Sequence, residues 1–60
     1  MPSDETRRLL KLFGVAVTSL EDAIDRKAPM EEIMQWDREL ADRTRDVIAY
    51  VDHLRSRRIA

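Results

Sequence analysis

Pro29 stands near the middle of a chain that otherwise reads as helix from Ser3 to about Arg57. Proline removes a backbone donor and disfavours helical geometry in the residue before it, here Ala28. It is well suited to the first position of a helix, where its missing N–H would have no partner in any case. Glu31 and Glu32 then fall in a first turn where the helix dipole favours anions. The expectation is a first helix over about residues 4–27 and a second over about 29–57. A single bent helix is the alternative.

The apolar pattern on either side of the proline is helical throughout. Ser3 is a good N-cap, followed by Asp4 and Glu5. Thr6, Leu10, Phe13, Val17, Leu20 and Ile24 then recur three and four residues apart, with Leu9, Ala16, Ala23 and Leu12 beside them. In the second half the line is Met30, Ile33, Asp37, Leu40, Thr44, Val47, Val51 and Leu54. Met34, Ala41 and Ile48 flank it on one side, Trp36 and Tyr50 on the other. No period-two run or Asn-Gly turn suggests a strand. A connection this short turns the helices back on each other, so the expected fold is an all-α, two-helix antiparallel hairpin forming one domain over residues 1–60. Such a hairpin sets Ile24 near Ile33, Val17 near Leu40, Phe13 near Thr44 and Leu10 near Val47. Gly14 lies mid-helix, where it costs about 1 kcal/mol relative to alanine.

The hairpin cannot bury all of this. On a helical wheel the apolar arcs span about 160° and 200°, whereas packing on one neighbour needs an arc nearer 100°. The chain has 60 residues and no cysteine, and a core this small rarely suffices without a disulfide, a metal or another chain. Completion by oligomerisation or by a partner is therefore expected. The surplus residues Leu9, Leu12 and Ala16 on one edge, and Trp36, Tyr50 and Leu54 on the other, are the expected partner-binding residues. The alternative for Trp36 is that it covers the hairpin's own seam.

Little chemistry is legible. One histidine, His53, does not make a zinc site. The acids Glu31, Glu32, Asp37 and Glu39 lack the Glu-x-x-His spacing of di-iron helices. No serine is paired with a base, and no glycine-rich phosphate loop is present. No catalytic, cofactor-binding or metal-binding residue is expected, and the chain is read as a non-enzyme. Asp37 and Thr44 on the apolar line are read as residues that set register or oligomeric state. No apolar run approaches about 18 residues and no leader is recognisable, so membrane association is not expected and the location is read as cytoplasmic.

Charges nearly cancel, with 11 Lys and Arg against 12 Asp and Glu, but they are sorted. Arg7, Arg8, Lys11, Arg55, Arg57 and Arg58 gather at the open end of the hairpin, and Glu21, Asp22, Asp25, Glu31 and Glu32 at its turn. Nucleic-acid binding through the "RSRR" end is a third-rank reading, because the acidic turn would repel a phosphate backbone. For a homodimeric four-helix bundle, the sorting favours an antiparallel arrangement with the two turns at opposite ends.

The stretch "WDRE", carrying Trp36, Arg38 and Glu39, resembles the start of the second helix in needle-protein co-chaperones of bacterial type III secretion systems. "AVTSL" (residues 16–20) and Arg26 stand at similar distances from the tryptophan in that family. Pro29 occupies the place of its glycine-containing turn. The resemblance implies a chaperone-like or adaptor protein that binds a larger helical-repeat chaperone and helps keep a needle subunit unpolymerised. A likeness of "DRELA" to hairpin phosphatases of sporulation regulators lacks that motif's serine, glutamine and final aspartate, and it is set aside.

Overall fold

The computed structural model describes residues 3–59, the last by its backbone alone. It consists of two helices, α1 (Asp4–Asp25) and α2 (Met30–Ile59), folded back as an antiparallel hairpin. Of the described residues, 91% are helical.

Both helix starts follow from local chemistry. Ser3 has extended backbone angles, and its hydroxyl accepts from the Thr6 N–H at 3.1 Å, satisfying one of the orphan donors of the first turn. At α2 the Pro29 carbonyl accepts from the N–H groups of Glu32 and Ile33. Proline is thus the cap itself, and the helix begins one residue later than expected.

α1 ends at Asp25, two residues short of the expected boundary, because the chain closes a Schellman motif. The Lys27 N–H donates to the Ile24 carbonyl at 3.1 Å, and the Ala28 N–H to the Ala23 carbonyl at 2.9 Å. That closure requires a left-handed residue, and Lys27 supplies it at φ 55°. Ala23 and Ala28, joined by the second of these bonds, are both buried. Arg26 spans the turn, ion-paired to Asp22 at 2.9 Å and to Glu32. Both carboxylates favour its charged form.

The seam between the helices differs from the expected one by a rotation of α1. Its inner face is Thr6, Leu9, Phe13, Ala16, Leu20 and Ala23, all buried or half-buried. Leu10, Val17 and Ile24, expected in the core, are exposed instead. The reason is steric. Ala16 and Ala23 let the two backbones approach closely where the short turn forces them together, and larger residues there would hold them apart. On α2 the inner residues are Ile33, Trp36, Leu40, Thr44, Val47 and Tyr50, while Met30, Asp37, Val51 and Leu54 of the expected line are exposed. The pairings of Leu10 with Val47 and Ile24 with Ile33 therefore do not form a buried core. Thr6 and Tyr50 fix the register near the open end by a hydroxyl–hydroxyl hydrogen bond. With 30 residues against 22, α2 overhangs α1 by about 12 Å at 1.5 Å per residue.

Candidate protein–protein interface

Among the described residues, the buried apolar ones are Ala16, Ala23 and Ala28, and no large side chain is fully buried. The hairpin is one layer of two helices, 47 × 19 × 13 Å in extent, with two broad sides.

One side is apolar. At 100° per residue, Leu10, Val17 and Ile24 project from α1 in the same sense as Met30, Met34, Ile48 and Val51 from α2. These seven residues are 38% to 66% exposed. Near the turn, Val17 and Ile24 line an open, mainly apolar depression of about 270 Å³ with Leu20 and Leu40, edged by Glu21 and Asp25. Polar groups on this side are few. Thr44 donates its hydroxyl to the Leu40 carbonyl at 2.8 Å, so its own helix satisfies it. Asp37 is an exposed charge among the apolar residues, and Glu21 and Asp25 border them near the turn.

The opposite side is mixed. A groove of about 490 Å³ runs between the N-terminal half of α1 and the C-terminal half of α2. Leu9, Leu12 and Tyr50 supply its apolar wall, and Arg8, Arg43, Asp46 and His53 its polar one. Arg43 lies 3.4 Å from Glu39 and 3.3 Å from Asp46. Its Nε is buried without a well-directed hydrogen bond, so these contacts are charge proximity rather than aligned bonds. Among the described residues, no group of three or more histidines and acids is placed to hold a metal ion. No helix of the described residues is long and apolar enough to cross a membrane.

The expected partner-binding residues divide four ways. Leu9, Leu12 and Tyr50 come together in the mixed groove, although Tyr50 was expected on the other edge from the two leucines. Ala16 is 1% exposed and sealed inside the seam, which removes it from any docking surface of the folded hairpin. Trp36 is half-buried on the α1-facing side of α2, the placement of the seam-covering alternative. Leu54 is exposed on α2 where α1 has already begun to run out. Leu10, Val17 and Ile24, expected in the core, are three of the seven residues of the apolar side. The two alanines spaced seven apart on α1 were the available signal, since small residues mark the line of closest approach. No family model, curated protein or solved structure matches this chain.

Proposed function

We propose that this chain is a non-catalytic protein–protein interaction module, adaptor-like or chaperone-like, which completes its core by taking helices of another chain on its apolar side. The observation that carries the reading is the exposure of Leu10, Val17, Ile24, Met30, Met34, Ile48 and Val51 on one side of a hairpin whose buried apolar residues are alanines. A chain of this size has little surplus stability to spend on so much apolar contact with water. Covering one such side chain fully contributes about 1.5–3 kcal/mol. Docking of a helix into an apolar groove is a standard use of such a surface. The resemblance to needle co-chaperones makes a helical-repeat protein one class of partner for the same side.

The test is a photo-crosslinking amino acid in place of Val17, at the centre of the side, with a second at Ala49 on the opposite, mixed side as control. The expected result is a discrete protein adduct from position 17 and none from position 49. Equal or absent crosslinking at the two positions would sink the proposal.

A further inference from the structure

We infer that the apolar side is covered by a second copy of this chain, seated face to face with both turns at the same end, so that two hairpins close a four-helix bundle. The inference rests on the interface reading above and names its occupant.

The apolar side is self-complementary. The hydrogen bond between Thr6 and Tyr50, and the shared lining of the apolar depression by Val17 and Leu40, set the level of each residue along the hairpin. Leu10 then stands within two residues' rise of Ile48, Val17 of Ala41, and Ile24 of Met34. Each helix offers one residue every seven, at shared levels. A two-fold axis along the hairpin lays these layers on themselves, α1 of one copy over α2 of the other. Self-matching of this kind is what an isologous interface requires. A foreign helix would need no common spacing on both α1 and α2.

The charges on the outer rims match as well. Arg7, Gly14 and Glu21 follow each other at the outer edge of α1, and Arg38, Arg45 and Asp52 at that of α2, again seven apart. With both turns at the same end, Arg7 faces Asp52 of the second copy and Glu21 faces its Arg38. Gly14, beside which a Cβ would meet nothing within 4 Å, leaves room for Arg45. With the turns at opposite ends and the same apolar layers matched, Val17 on Val17 of the second copy, Arg38 would face Arg45 and Glu31 would face Asp52, like on like. Outer flanking pairs of this type select orientation in helical bundles. Among the described residues, Arg7, Glu21, Arg38 and Asp52 take part in no ion pair within the chain.

This orientation departs from the one expected from the charges at the hairpin's two ends. Arg26 is the reason, for it sits between Asp22 and Glu32 and offsets part of the acid at the turn. The area is adequate. The 19 Å width over the length of α1, about 33 Å, gives an interface on the order of 1,200 Å² from both copies, above the roughly 1,000 Å² a specific complex needs. Asp37 is the residue that the second copy leaves worst placed, since it would lose water on closure.

The test is sedimentation equilibrium on the full chain, with circular dichroism confirming that each variant keeps its helices. The expected result is a dimer that Val17→Glu converts to monomer and Asp37→Leu tightens. Glu21→Arg and Arg38→Glu should each weaken it about tenfold, the scale set by two exposed pairs reversed at once. Combining the two swaps should restore it. If Arg38→Glu alone tightens the dimer, the orientation is overturned. A chain that stays monomeric at high concentration overturns the second copy as occupant. A crosslink from position 17 to a different protein would then leave the interface reading standing without it.

Discussion

Lys27 occupies a left-handed conformation that costs a residue with a Cβ roughly 1–2 kcal/mol, yet the Schellman closure of α1 depends on it. Lys27→Gly should therefore stabilise the chain by about 0.5–1 kcal/mol, part of the relief being offset by the looser unfolded chain. A chemical-denaturation midpoint that falls instead would show that the lysine side chain contributes more than its backbone costs. Gly14 is the converse case. It lies inside α1 with open space where a Cβ would go and without a positive φ, so Gly14→Ala should gain about 1 kcal/mol of stability in the monomeric background of Val17→Glu. In a side-by-side comparison, a gain there and a loss in the native chain would mark Gly14 as a contact to another chain. Tyr50, half-buried and bonded to Thr6, belongs to the hairpin's own register. Tyr50→Phe should lower stability by about 1 kcal/mol and leave association unchanged. Neither the left-handed lysine nor the Thr6–Tyr50 bond was legible in the sequence, since one arises from a turn closure and the other joins residues 44 positions apart.

At the scale of the elements, the two helices differ in how they are held. α1 has the stronger sorting of apolar and polar residues and carries both alanines of the close seam. α2 runs on past the start of α1, so its last residues have helix on neither side. Native-state amide exchange should be slowest around Ala16, Ala23 and Leu40 and should rise steadily through residues 54–59, because local opening there breaks few contacts. Uniform protection to Arg58 would indicate that the overhang is covered by another chain. The helices' existence, their break and the Ser3 cap were all readable beforehand, because capping and proline effects act within a few residues. The rotation of α1 was not. Two interleaved lines, one of Leu10, Val17 and Ile24 and one of Leu9, Ala16 and Ala23, satisfy the same period, and only close approach to α2 chooses between them.

For the whole molecule, stability and association are linked. A hairpin in which, among the described residues, only alanines are enclosed is marginal by itself, and any partner that binds only the folded form raises its stability by mass action. The thermal midpoint should therefore rise with protein concentration for the native chain and become independent of it in Val17→Glu. A midpoint independent of concentration in both would mean that the chain does not stabilise itself by self-association. Moderate salt should change the midpoint little, because the rim pairs are exposed and contribute about 0–1 kcal/mol each.

What this sequence determined by itself is whatever acts locally: helical periodicity, the cap at Ser3, the break at Pro29, and the excess of apolar surface over what two helices can share. Those features require only neighbours within a turn or two of helix. What the tertiary structure decided is which of those apolar residues remain in water. Thr6, Leu9, Phe13 and Ala16 turn inward, and Leu10, Val17 and Ile24 turn outward, because a short turn and two small side chains draw the backbones together along one line. A matching turn of α2 placed Trp36 and Tyr50 at the seam, and the two together moved the exposed apolar surface to the opposite side of the hairpin. Interhelical distance is a property of the pair of helices, and neither helix carries it alone.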